Sequence, residues 1–144
     1  MIVVDTNVFS ELMRTEPDAG VVGWYARRDV SSRLAISAVS VAEILAGIET
    51  MDDGRRRRNL ADRTAAAIEQ QYDTRILPFD GNAAPAYATI RARCRRAGRP
   101  IDALDAQIAA ICLVNDATLA TRNARDFAGC GIRVVNPWEA ASGD

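Results

Sequence analysis

The chain has 144 residues and a mass of 15.6 kDa, enough for one domain whose core needs no covalent staples. Its net charge of −1 and pI near 5.5 build in no global attraction to nucleic acid or to an anionic membrane. There is no histidine and no lysine, all 18 basic residues being arginine. That excludes a Ser-His-Asp or Cys-His nucleophile, His-ligated zinc, a lysine Schiff base and a Walker lysine, and leaves chemistry to carboxylates, hydroxyls, amides, arginines and a metal.

Ile2-Val3-Val4 reads as a strand buried on both faces, with Asp5 at its carboxyl end. Thr6 and Asn7 open a helix on Val8, Phe9, Leu12 and Met13; Arg14 to Gly20 is a loop, and a second amphipathic helix runs from Val21 to about Asp29. Leu34-Ala35-Ile36 is a strand, followed by a helix on Val41, Ile44, Leu45 and Ile48 that carries Glu43. Asp52-Asp53-Gly54 separates it from a helix running from Arg55 to Tyr72. Arg75 to Phe79 reads as an edge strand, since Pro78 has no amide to donate. Asp80 caps a helix from Ala83 to Arg96, and a strongly periodic helix spans Ile101 to Asn115. Thr118 to Thr121 and Ile132 to Val135 are the last strands.

Strands alternating with helices imply a parallel sheet covered on both faces, with residues 1–144 forming a single domain. Neither a secretory leader nor an apolar run of membrane-spanning length is visible, so a soluble cytoplasmic protein is expected. Cys94, Cys112 and Cys130 are odd in number and widely spaced, which predicts reduced thiols, with Cys112 in the core.

Four carboxylates fall just after a strand or near a helix start: Asp5, Glu43, Asp105 and Asp126. Glu43 follows Ser40 by three, Asp105 follows Asp102 by three and Asp126 follows Asn123 by three, so each of these has a capping explanation. In a parallel sheet, helix starts share an edge with strand carboxyl ends, and the four acids can converge there. Two carboxylates 4 Å apart repel by about 4 kcal/mol at an effective dielectric near 20. A hard divalent cation resolves the conflict, and a carboxylate-held Mg²⁺ or Mn²⁺ is a solution for phosphodiester hydrolysis that needs neither histidine nor lysine.

Five motifs in order now carry a resemblance. Val-Asp-Thr-Asn opens the chain, followed by the Ser-x-x-x-x-x-Glu of Ser37 to Glu43 and the Asp-x-x-Ile-Ala-Ala of Asp105 to Ala110. The Leu-Ala-Thr-Arg-Asn-x-x-Asp-Phe of Leu119 to Phe127 and the Val-Val-Asn-Pro-Trp of Val134 to Trp138 complete the set. Together these resemble a PIN-domain ribonuclease of the VapC toxin type, within its FitB-like branch. The resemblance implies a three-layer α/β/α sandwich, Mg²⁺- or Mn²⁺-dependent endoribonuclease activity, a homodimer, and a cognate antitoxin whose tail occupies the acidic pocket. By motif, Asp5, Glu43, Asp105 and Asp126 match the metal-binding acids, Thr6 and Thr121 the supporting hydroxyls, and Asn7 and Asn123 the pocket lining. Many relatives carry an acid where Asn123 stands, which leaves Asp126 as the only acid on this loop. Asp102 competes with Asp105, but only Asp105 has Ile-Ala-Ala at the family's offset.

Arg55, Arg56, Arg57, Arg58 and Arg63 form one basic cluster, and Arg91, Arg93, Arg95, Arg96 and Arg99 a second. They read either as solvated helix faces or as phosphate contacts flanking the acidic pocket, with Arg55 to Arg58, Arg95 and Arg99 as the RNA-binding candidates. Leu12, Met13, Trp24 and Tyr25 read as core, with a partner surface as the other reading. Phosphatases and response-regulator receivers also place an Asp at a first strand's end, but they use a lysine, and the phosphatase motif wants an Asp where Asn7 stands. A PIN-like binding module without turnover, its acids serving as caps, is the remaining alternative.

Overall fold

The structure is a computed structural model that describes residues 1–31 and 33–140. In chain order the elements are β1 (Ile2–Val4), α1 (Thr6–Leu12), α2 (Ala19–Ser31), β2 (Leu34–Ser37), α3 (Ala38–Glu49) and α4 (Arg55–Tyr72). Then come β3 (Ile76–Leu77), α5 (Ala83–Arg96), α6 (Ala103–Val114), β4 (Thr118–Ala120), a 3₁₀ turn (Ala124–Phe127) and β5 (Arg133–Val135).

The five strands form one parallel sheet in the order β3-β2-β1-β4-β5, flanked by the helices as a three-layer α/β/α sandwich. β1 is central because its residues are apolar on both faces. Successive side chains of a strand point to opposite sides, and Val3 and Val4 are both fully buried, in different layers. Val3, Ala35 and Leu119 pack with Ile90 of α5 and Ile108, Ala109 and Cys112 of α6. Val4, Ile36 and Ala120 meet Val8 and Phe9 of α1, Trp24 of α2, Ile44 and Ile48 of α3, and Tyr72. Each fully buried aliphatic side chain stabilises the fold by roughly 1.5–3 kcal/mol. Trp24 is thus core, whereas Leu12, Met13 and Tyr25 are half-buried against it. Cys112 is fully buried, as expected.

Connections run outward from β1 to β2 and β3, then cross back to β4 on its other side. The chain therefore reverses direction between β1 and β4, and the crevice beyond their carboxyl ends is where open α/β sheets take ligands. Register places Val4 against both Ile36 and Ala120, and the Asp5 amide donates to the Ala120 carbonyl at 2.9 Å. Asp5 and Thr121 consequently leave the sheet side by side.

Three local expectations change. α2 begins at Ala19 rather than Val21, because the Asp18 carboxylate accepts the Val21 amide at 3.0 Å and supports a helical start through Gly20. The third strand keeps only Ile76 and Leu77 and lies at the sheet edge, as Pro78 requires. The cap of α3 is Ser37, whose hydroxyl accepts the Ser40 amide at 3.0 Å; Ser40, expected as the cap, lies inside the helix. Among the described residues, no helix is long and apolar enough to cross a membrane.

Candidate active site

Asp5 is only 6% exposed and sits at the centre of a hydrogen-bond network. Its Oδ1 accepts the Thr6 amide at 2.8 Å, and its Oδ2 accepts the Thr121 hydroxyl at 2.8 Å and, at 3.5 Å, the Asn7 amide group. Thr121 Oγ1 in turn accepts from Asn7 Nδ2 and from the Asn123 backbone amide, both at 3.1 Å. Asn7 Oδ1 accepts the Arg122 amide at 3.1 Å, so one side chain ties the start of α1 to the end of β4. Thr6, Asn7 and Thr121 are therefore brought together with Asp5 as expected, whereas Asn123 contributes through its backbone.

Glu43 approaches from α3. With Ser37 as the cap, Glu43 lies in the second helical turn, too far along to complete a capping box. Its Oε1 instead accepts the Thr6 hydroxyl at 3.2 Å. Asp102 is the true cap of α6, its Oδ1 accepting the Leu104 and Asp105 amides at 2.9 and 3.4 Å. Asp105, in the first turn, has a half-buried carboxylate with no hydrogen-bond partner among the described residues. Asp126 stands exposed on the 3₁₀ turn, where Asn123 makes no side-chain cap.

The electrostatics couple these acids. Burial raises Asp5 above the usual carboxylate range, opposed by the Thr121 hydroxyl and the Thr6 amide. Glu43 is raised by burial, opposed by the Thr6 hydroxyl, and raised further by the charges of Asp5 and Asp102. Asp105 is pushed up to about 6, first by burial and then by Asp5, Asp102, Asp126 and Glu43. Among the described residues, none of these carboxylates is paired with an arginine. An all-oxygen donor set with uncompensated charge suits a hard divalent cation. As they stand, no three acids among the described residues are gathered closely enough to hold one. Glu43 and Asp126 are exposed.

A groove of about 1230 Å³ leads away from Thr6 and Glu43, floored by Phe9, Ile44 and Leu60. Arg55 and Arg56 line it together with Arg14, which pairs with Glu11 at 3.1 Å, and Arg63, which donates to the Met13 carbonyl at 3.0 Å. Arg57 and Arg58 are directed elsewhere, to Glu49 at 2.8 Å and to Asp53 at 3.8 Å. Arg95 and Arg99, near the end of α5, are exposed and do not line the groove. Arg14 carries no signal in the sequence, because it stands in a loop whose neighbours give no basic pattern.

Comparison with known proteins shows the family to which the fold belongs. The profile of the PIN domain matches residues 2–129, and the chain belongs to the PIN-domain family. The plasmid stability protein StbB of Pseudomonas syringae pv. tomato is 41% identical over 140 residues, 97% of this chain and 100% of that protein. The VapC ribonuclease Y4jK of Sinorhizobium fredii is 37% identical over 98% of this chain and 100% of its own length. Toxin FitB of Neisseria gonorrhoeae is 36% identical over 96% of this chain and 99% of its own. The crystal structure of FitAcB from the same organism superposes with a TM-score of 0.90 at 36% identity, covering 97% of this chain and 100% of the solved one.

Proposed function

We propose that the protein is a metal-dependent endoribonuclease and the toxin of a toxin–antitoxin pair. What supports this reading is the placement of Asp5, Glu43, Asp105 and Asp126, on four separate elements, along the carboxyl edge of the sheet, with Asp105 pushed up to about 6 first by burial and then by the charges of Asp5, Asp102, Asp126 and Glu43. Likeness to a VapC ribonuclease and to toxin FitB supports the same conclusion.

Asp5 and Asp105 would hold a principal Mg²⁺ or Mn²⁺ ion, with Glu43 and Asp126 completing the set or orienting water. When bound, such an ion lowers the pKa of water and offsets charge on the leaving oxygen of the phosphodiester. The Thr121 hydroxyl and the Thr6 amide oppose the effect of burial by favouring the charged form of Asp5, and with Asn7 they aim its carboxylate. Arg55 and Arg56 of the groove offer phosphate contacts beside the acids, and Arg95 and Arg99 offer a second set.

An antitoxin tail bearing a basic side chain would silence the same pocket by occupying it. Exposed Leu104, Leu113 and Val114 on α6 and Leu45 on α3 supply apolar surface for a homodimer. An RNA substrate places the work of the protein in the cytoplasm. The wide spacing of the acids favours one other reading, a PIN-like binding module without turnover. Mn²⁺ separates the two: a nuclease site is expected to raise the melting temperature of the native chain by mass action and to lose that response in Asp105→Asn. A module whose acids only cap helices would show no response in either protein.

A further inference from the structure

We propose that Arg122 is a phosphate-binding residue of this site, its guanidinium held against Trp138 at the rim of the crevice and gripping the RNA backbone beside the bond that is cut. The inference rests on the nuclease reading above and adds a residue to it.

Arg122 directly follows Thr121, whose hydroxyl donates to Asp5 at 2.8 Å, so its backbone stands at the carboxyl edge of β4 next to the acids. That backbone is clamped on both sides. Its amide donates to Asn7 Oδ1 at 3.1 Å, and its carbonyl accepts from Asn136 Nδ2 at 3.4 Å. The side chain crosses toward β5, where the guanidinium carbon lies 5.0 Å from the centroid of the Trp138 ring. Trp138 is itself fixed, packed against the core layer of Val4 and Ala120, with its amide donating to Asn136 Oδ1 at 3.0 Å.

The guanidinium meets the ring through its charge, and among the described residues its N–H groups donate to no other atom, so they stay open to two oxygens of a phosphate. Among the described residues, no carboxylate pairs with Arg122, although the residue is exposed. Two other arginines of the described residues lie over rings, both away from the crevice: Arg28 over Trp24 on α2, and Arg91 over Tyr87 on α5, where it also donates to the Tyr87 hydroxyl. A crevice lined by acids repels a polyanion. A cation beside it, held in place by its ring and its clamped backbone, lowers that barrier and costs little conformational entropy when the strand arrives.

The test compares the native chain with Arg122→Gln and Arg122→Lys. The readouts are melting temperature, kcat/KM from initial rates on subsaturating total bacterial RNA in Mn²⁺, and affinity for a fluorescein-labelled RNA oligonucleotide of random sequence against salt. Arg122→Gln is expected to keep its melting temperature, to lose about tenfold or more in kcat/KM, and to lower the slope of log affinity against log salt by about one, with partial recovery in Arg122→Lys. Native kcat/KM and salt slope in Arg122→Gln would overturn the proposal, as would a loss matched by a fall in melting temperature and not rescued by lysine. A native chain that neither cuts nor binds RNA would overturn the nuclease reading itself, and that result is distinct because it needs no variant.

Discussion

Thr121 and Asp105 mark the two ways a carboxylate is managed in this crevice. Asp5 is buried yet supplied with donors, of which the Thr121 hydroxyl at 2.8 Å is the main side-chain one. Thr121→Val keeps the shape and deletes the donor, so Asp5 is expected to rise further in pKa. Mn²⁺ affinity, read by titration calorimetry, is then expected to fall roughly 10–100-fold, as outer-shell losses do. Asp105 has no such support and is pushed up to about 6 from an ordinary 3.8. A raised acid stabilises the folded state while it is protonated: that contribution is full below its unfolded pKa and is lost as pH rises through the folded value. In EDTA, Asp105→Asn is therefore expected to melt above the native chain at pH 8, with the difference shrinking toward pH 4. In Mn²⁺ the order should reverse. Melting curves across pH in both buffers check the sign.

At the scale of elements, α3 and α4 explain which parts of the site were legible in the sequence. The acid at the end of β1 was legible because a strand buried on both faces is apolar without interruption, and Asp5 is the first residue to break the run. Ser37-Ala38-Val39-Ser40 offers two serines three apart, either able to cap; the pairing of Ser37 with Leu77 extends β2 and moves the helix start to Ala38. That register is a long-range fact with no local trace. Ser37→Ala is expected to cost about 1 kcal/mol in denaturant unfolding by removing the cap, whereas Ser40→Ala should be neutral or stabilising, because the Ser40 hydroxyl is buried without a partner among the described residues. Arg55 to Arg58 reads as one basic face, yet each helical residue turns about 100° from the last, and the run divides between the groove and the acids Glu49 and Asp53. The stacking of Arg122 on Trp138 joins residues sixteen apart around β5, and nothing in their spacing announces it.

Over the whole molecule, the topology brings acids from the end of β1, from α3, from the start of α6 and from the loop after β4 to one edge of a single sheet. Both core layers run beneath that edge, and the three cysteines belong to the layer of α5 and α6. Burial first holds the Cys112 and Cys130 thiols up at about 12, and the Cys94 and Cys130 sulfurs lie 3.7 Å apart as thiols. Iodoacetamide is accordingly expected to leave the native chain unlabelled at pH 8 and to label it after unfolding, as mass spectrometry would read.

An edge that cuts RNA through a metal held by its acids must lose that activity with the metal or with Asp5. Total RNA incubated with the purified chain in Mg²⁺ or Mn²⁺, with EDTA and Asp5→Asn as controls, tests that dependence most directly. Discrete fragments that vanish in both controls are expected. Cleavage that persists in Asp5→Asn, or that survives EDTA, would contradict it.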